Sequence, residues 1–64
     1  MKIKLKRISR GWTQEDLSKK SGVSRNTIVK LEKGEIDGIR FGIIKKIAAA
    51  LDTTVQELFF SDEE

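Results

Sequence analysis

The chain contains no cysteine, no histidine and no proline, and only 6% of its 64 residues are aromatic. Without cysteine there is no disulfide, and without cysteine or histidine the sequence excludes zinc sites and imidazole chemistry. The longest apolar run, residues 47–51, is far too short to span a membrane. No apolar segment follows the basic N-terminal residues, which argues against a signal peptide. We therefore expect an intracellular, cytoplasmic protein with no cofactor and no metal.

Sixty-four residues are enough for one domain, near the lower size at which a single core folds without crosslinks. The lack of proline and the low aromatic content favour a compact helical domain over a sandwich or a barrel. We predict an all-α, five-helix bundle over residues 1–60, followed by an acidic and frayed tail at residues 61–64.

Charge is distributed unevenly between the two halves. Residues 1–32 hold nine basic and three acidic side chains, a net +6, whereas residues 33–64 hold four basic and seven acidic ones, a net −3, which together give the overall +3. A basic half is typical of proteins that bind a polyanion. It also fits a solvated surface, so the charge supports nucleic-acid binding without deciding it.

Residues 13–34 contain two short amphipathic segments joined by a tight turn. Thr13 is the predicted N-cap of the first segment and Ser24 that of the second. Gly22 provides the positive φ that a sharp helix exit requires, and Gly34 ends the second helix. Two hydrophobic staples are expected at the helix starts: Trp12 with Leu17, and Val23 with Ile28.

The second of these helices has two distinct faces. Helical periodicity places Ile28 and Leu31 on one face, which must be buried. The opposite face carries donors, an amide and a small apolar group: Arg25, Asn26, Val29, Lys30 and Lys33. Arginine or lysine reads guanine in the major groove, asparagine reads adenine, and an apolar side chain meets the thymine methyl. The alternative is an ordinary solvated helix face.

Three further helices complete the prediction. The first spans residues 2–10 with an apolar stripe and packs across the next two. The fourth begins near Arg40 or Phe41 and runs to Leu51, and the fifth opens with a capping box between Thr54 and Glu57. The expected inward side chains of these three helices are Ile3, Leu5, Ile8, Trp12, Phe41, Ile44, Ile47, Ala48, Leu51, Val55, Leu58 and Phe59.

Four motifs at fixed spacing resemble one known family. These are Gly11-x-Thr13-Gln14-Glu15-x-Leu17, Ser21-Gly22-Val23-Ser24, Ile28-x-x-Leu31-Glu32-x-Gly34 and Ile47-Ala48-x-Ala50-Leu51. They resemble the helix-turn-helix domains of the lambda and 434 repressor and Cro type, the XRE family, over residues 3–60. The resemblance implies that Ser24–Lys33 is the recognition helix of a lambda-repressor-like domain. Segment 34–42 departs from the family pattern, and its Ile36 and Ile39 fit either packing under the loop or a contact surface.

The resemblance also implies roles for individual residues. Thr13, Gln14, Lys33 and Arg40 would hold the DNA backbone, and Lys6 and Arg10 are further candidates, while Arg25, Asn26, Val29 and Lys30 would read bases. Arg7 and Glu32 match positions that form an ion pair, and the alternative is two separate solvent-facing charges. Thr54, Glu57 and Phe60 are candidate dimer contacts, although an exposed aromatic is also ordinary on a monomer. For Arg40 the alternative is a plain solvent-facing helix start.

These features predict a sequence-specific transcription regulator of double-stranded DNA, a repressor that binds a two-fold symmetric operator as a homodimer. We expect no small-molecule effector. The alternative is an antitoxin or another protein-binding partner that uses the same fold. An enzyme is disfavoured, because a domain this small rarely offers the concave site that catalysis needs.

Overall fold

Five α-helices make up the described part of the chain. The computed structural model describes residues 2–60, except for the side chain of Phe60. The helices are α1 (Ile3–Ser9), α2 (Gln14–Ser21), α3 (Arg25–Glu32), α4 (Phe41–Ala50) and α5 (Val55–Phe60). The predicted all-α, five-helix fold is confirmed. The predicted tail at residues 61–64 lies outside the described residues.

The helices surround one core to which each of them contributes. Six large side chains are fully buried: Ile3, Leu17, Ile28, Leu31, Ile47 and Leu58. α2 packs against both α3 and α4, α4 packs against α5, and α1 packs against α3. Because no helix exceeds ten residues, this packing, rather than intrinsic helix propensity, is what stabilises them. Among the described residues, no helix is long and apolar enough to cross a membrane.

The predicted apolar stripe of α1 is largely wrong. Ile3 is fully buried, but Leu5 is 63% and Ile8 is 54% exposed. The side chain that shares the inner face with Ile3 is Arg7, four residues later and only 8% exposed. Residues i and i+4 lie on one helix face, so with Ile3 and Arg7 turned inward Leu5 lies on the opposite side of α1 and Ile8 is turned away from the inner face.

The predicted inner face of α4 is correct except at its first residue. Ile44, Ile47 and Ala48 are buried, whereas Phe41 is 62% exposed. Phe41 occupies the first turn of the helix, and the buried stripe starts one turn later. The ammonium of Lys45, one turn further along, lies 5.9 Å from the centre of the Phe41 ring. The ring of Phe41 thus has a cation near one face and does not join the core.

The segment before α4 contains the two isoleucines whose role the sequence left open. Ile39 packs against the core, whereas Ile36 is 43% exposed. Gly34 has φ +84° and Gly38 has φ +79°, so both bends use the left-handed region that glycine adopts without strain. Only one of the two isoleucines therefore packs under the loop.

α5 is attached to the N-terminal end of the fold. The backbone N–H of Lys2 donates to the carbonyl of Leu58 over 3.0 Å, and Leu58 is fully buried. The Thr54 hydroxyl accepts from the Glu57 backbone N–H over 3.1 Å, as the predicted capping box requires. The backbone hydrogen bond between Lys2 and Leu58 joins the N-terminal end of α1 to α5, so the core lies between the first and last helices.

Candidate nucleic-acid interface

The start of α2 is fixed by a reciprocal cap. Thr13 adopts extended backbone angles, and its hydroxyl accepts from the Asp16 N–H over 3.0 Å. The Asp16 carboxylate accepts in turn from the Thr13 N–H over 2.9 Å. Hydrogen bonding to this carboxylate from the Thr13 backbone, followed by that from the Thr13 side chain, lowers the pKa of Asp16. The cap satisfies two N–H groups and leaves those of the first two helical residues, Gln14 and Glu15, without a helical partner.

The corner between α2 and α3 is held by serine side chains. Gly22 ends α2 with φ +74°, and its N–H donates to the Ser18 carbonyl over 2.9 Å. The Ser18 hydroxyl donates to the Val23 carbonyl over 2.7 Å, and the Val23 N–H donates to the Ser21 hydroxyl over 3.2 Å. Ser24 then caps α3 by accepting from the Thr27 N–H. These bonds fix the direction in which α3 leaves the turn.

α3 has the two faces that periodicity predicted. Ile28 and Leu31 are fully buried, which fixes the helix to the core. On the other side Arg25, Asn26, Lys30 and Lys33 are exposed, and Val29 is half-buried between them. The exposed face therefore presents two kinds of long cation, one amide and one small apolar group to whatever approaches it.

The carboxylate of Glu32, at the end of α3, binds side chains from both of the preceding helices. The Arg7 guanidinium donates to it twice, from Nε over 2.7 Å and from Nη2 over 3.1 Å. The Gln14 amide donates from Nε2 to Glu32 Oε1 over 3.1 Å. A third Arg7 donor, Nη1, reaches the Trp12 carbonyl over 2.7 Å. The carboxylate thus joins α1, α2 and α3.

This ion pair is largely removed from solvent. Its side chains are 10% exposed for Arg7 and 5% for Glu32. Burial raises the pKa of Glu32, but the hydrogen bonds from Arg7 and Gln14 and the charge of Arg7 outweigh it, so the pKa lies below its usual value. The hydrogen bond to Glu32 raises the pKa of Arg7. Both groups are therefore ionised at neutral pH.

An open cleft of about 520 Å³ lies where α2 begins and α3 begins. Its lining brings together two residues predicted to hold the DNA backbone and one predicted to read bases: Thr13, Gln14 and Arg25, beside Arg7 and Glu15. Lys33 and Arg40, the other two predicted backbone contacts, are exposed at the end of α3 and at the start of α4. Neither of these two lines the cleft.

Three internal contacts of basic residues were not predicted from the sequence. Arg10, a further candidate for the DNA backbone, donates from Nη2 to the Leu51 carbonyl over 3.0 Å. Its guanidinium carbon lies 5.3 Å from the centre of the Trp12 ring, and the Lys20 ammonium lies 4.9 Å from the same ring centre. Arg10 and Leu51 are 41 residues apart in the sequence, and Gln14 and Glu32 are 18 apart, so no local pattern could have indicated these two contacts. The ion pair of Glu32 with Arg7, which the resemblance implied, is present.

Two of the three predicted dimer contacts, Thr54 and Glu57, lie at the start of α5. Both are exposed and border an open groove of about 450 Å³ between the end of α4 and the start of α5. A hydrogen bond from the Thr53 hydroxyl, followed by one from the Thr54 backbone, lowers the pKa of Glu57. The side chain of Phe60, the third predicted contact, lies outside the described part.

Comparison with known proteins identifies the family. The sequence profile of the family described as Helix-turn-helix matches residues 3–58. An uncharacterized HTH-type transcriptional regulator of Archaeoglobus fulgidus is 43% identical over 58 residues, which cover 91% of this chain and 81% of that protein. Another from Methanocaldococcus jannaschii is 38% identical over 63 residues, covering 98% and 94%. No solved structure matches significantly.

A third relative, from Neisseria meningitidis serogroup B, is a hypothetical transcription factor that is 31% identical over 62 residues, 97% of this chain and 58% of that protein. Regulators of this family act by binding DNA and are not enzymes. The match over residues 3–58, together with a capped two-helix corner and an exposed polar face on its second helix, shows that the chain belongs to the XRE-type helix-turn-helix family of DNA-binding transcription regulators.

Proposed function

We propose that this regulator is a repressor that binds a two-fold symmetric operator as a homodimer, with α3 in the major groove. The observation that carries the proposal is the asymmetry of α3: Ile28 and Leu31 are fully buried while Arg25, Asn26 and Lys30 are exposed. A rigid helix that presents such side chains matches the donor and acceptor pattern of base edges. Blocking polymerase by occupying the operator requires no further chemistry.

In this proposal the first two turns of α3 read the bases, and residues near both ends of α3 hold the DNA backbone. Arg25 and Lys30 suit guanine, Asn26 suits adenine, and Val29 suits a thymine methyl. Thr13 and Gln14 approach one phosphate strand from the start of α2, where unpaired N–H groups favour an anion. Lys33 and Arg40 would hold the backbone near the other end of α3 by their charge.

A homodimer follows from how little DNA one recognition helix can read. One α3 contacts only a few base pairs, and two copies on half-sites about 34 Å apart add their contacts. The described Cα atoms extend over 29 × 27 × 19 Å, and side chains reach several Å further. Neighbouring copies at that spacing therefore come close enough to touch, and we propose Thr54, Glu57 and Phe60 as the contact. Bound to the nucleoid, the protein would act in the cytoplasm.

Selection of bound duplexes from a random pool tests this function directly. We expect a two-fold symmetric motif with half-sites one helical turn apart. Arg25→Ala and Asn26→Ala should each weaken binding to the selected duplex by about 1–3 kcal/mol and change stability by less than about 0.5 kcal/mol. Lys46→Ala is the matched control, because Lys46 is also exposed but lies on α4. Retained affinity in both α3 variants, with loss of thermal stability, would contradict base reading.

Salt dependence separates DNA from a protein target. Lys33 and Arg40 would neutralise two phosphates in each copy, so the slope of log affinity against log salt should be about −3.6 for a dimer. An affinity for the duplex that does not change with salt, or a pool that yields no motif, would favour the antitoxin-like alternative.

A further inference from the structure

We infer that Glu32 is a positioning residue for DNA binding, which holds the Gln14 amide ready to donate to a phosphate. The inference rests on the proposed function, because it takes Gln14 as a contact to the DNA backbone. It assigns to the buried ion pair a part in binding as well as in folding. The residue that ends the recognition helix would thereby place a contact made by a different helix.

The chemistry of the two groups fixes how the amide is turned. A carboxylate accepts hydrogen bonds and does not donate, so Gln14 must face Glu32 with its NH₂ group and not with its oxygen. One hydrogen of Nε2 is used in the 3.1 Å bond to Glu32 Oε1. The second hydrogen has no acceptor among the described residues, and Gln14 lines the open cleft at the start of α2. An approaching phosphate oxygen is the acceptor that this hydrogen lacks.

Glu32 can position Gln14 because it is itself held in place. Its side chain is 5% exposed, and Arg7 grips both of its oxygens over 2.7 and 3.1 Å. Arg7 also holds the Trp12 carbonyl over 2.7 Å, one residue before the cap of α2. The same guanidinium therefore fixes the carboxylate and the beginning of the helix that carries Gln14. The Arg7–Glu32 ion pair therefore fixes both the backbone just before Gln14 and the amide at the end of its side chain.

A positioned side chain binds more tightly than a free one, since it loses less rotamer freedom on association. Ordering one long side chain weakens affinity by roughly two- to tenfold. This gain in affinity requires the amide of Gln14, so it should be absent when residue 14 is alanine. A purely architectural Glu32 would instead affect binding by the same factor whatever stands at position 14.

The experiment compares four proteins on one duplex that the natural chain selects from a random pool. They are the natural chain, Gln14→Ala, the joint replacement Arg7→Met with Glu32→Leu, and the combination of all three. The joint replacement is used because removing Glu32 alone leaves a buried charge unpaired, whereas two apolar groups can preserve the fold. Circular dichroism sets a temperature at which all four are folded.

We expect Gln14→Ala and the joint replacement each to lower affinity at least twofold, and the joint replacement to have no further effect once Gln14 is alanine. Equal losses in the two backgrounds would overturn the inference, and so would an unchanged affinity of Gln14→Ala. These failures leave the proposed function standing. Failure of the natural chain to select any sequence would instead remove the function itself.

Ethylation of single phosphates gives a second readout that stability does not move. The Gln14 variant and the joint replacement should both lose interference at the same phosphate of each half-site. Glu32→Gln keeps the shape and one acceptor oxygen, for which Arg7 and Gln14 compete, so it should show a smaller loss at that phosphate. An interference pattern that is weaker everywhere but unchanged in shape, in either of these two Glu32 variants, would mean that Glu32 serves the fold alone.

Discussion

Ile28 and Lys30 stand two residues apart on α3, yet Ile28 has no exposed surface and Lys30 points into solvent. The inner side of the helix consists of Ile28 and Leu31, which meet the core. The outer side includes Arg25, Asn26 and Lys30, whose side chains are exposed and make no hydrogen bond to other described residues. Because the fold does not depend on these side chains, they can be replaced to suit another DNA sequence without loss of the fold.

Glu32 is the exception to this division. It lies at the end of α3, neither in the apolar core nor on the exposed face, and its carboxylate binds Arg7 of α1 and Gln14 of α2. Fold and proposed DNA contact therefore meet at one ion pair. Two kinds of mutation test this division of α3. One compares the buried side with the exposed side, and the other removes one or both partners of the Arg7–Glu32 ion pair.

The largest effect is expected from breaking the ion pair on one side. Arg7→Ala leaves the Glu32 carboxylate buried without its main partner, and such losses amount to about 3–5 kcal/mol. Urea unfolding followed by circular dichroism measures the change. For a domain of 64 residues, a loss of this size is a large share of the total stability.

The joint replacement Arg7→Met with Glu32→Leu is the control for that measurement. Removing both charges together avoids the uncompensated one, so stability should return close to that of the natural chain. A joint replacement as unstable as Arg7→Ala would show that the hydrogen bonds themselves, and not the unpaired charge, dominate. An Arg7→Ala variant of unchanged stability would show that the pair contributes little.

The second effect contrasts the two sides of α3 directly. Ile28→Ala should lower the free energy of unfolding by about 2–5 kcal/mol, because it leaves a cavity in the core. Lys30→Ala should change it by less than about 0.5 kcal/mol but weaken binding to the selected duplex. Unfolding curves and binding isotherms of the same two variants provide the test. Comparable effects of both variants on stability would contradict a division of the helix into two sides.

Local patterns correctly predicted the helix caps and the buried face of α3. The caps at Thr13 and Ser24 involve partners three residues away, and Ile28 and Leu31 follow the helical repeat. In each case the interacting residues are neighbours in sequence, so spacing alone specifies them. The exposure of Arg25 and Asn26 fits the role assigned to them, and that role stays a prediction.

The predictions that went wrong depended on distant packing. Leu5 and Ile8 are as apolar as Ile3, and only the inward turn of Arg7 toward Glu32, 25 residues away, shows why they are exposed. Phe41 falls in the stripe of α4, but the core begins a turn later, at Ile44. Periodicity gives the direction of a side chain along its own helix, and not whether another element covers it.

The smallest effect is expected from acid, which neutralises the same carboxylate without removing it. Because the pKa of Glu32 is lower in the folded protein than its usual value of 4.5, its contribution to stability is present at neutral pH. It is lost as the pH falls below the unfolded value and through the folded one. Urea unfolding at a series of pH values from 7 to about 3 should show this loss in the natural chain. Asp16 and Glu57, whose pKa values are also lowered, add losses of the same sign.

Glu32→Gln is the matched control for the acid experiment, since it retains those two carboxylates, and its stability should fall less with acid. Parallel pH profiles of the two proteins would show that ionisation of Glu32 does not stabilise the fold.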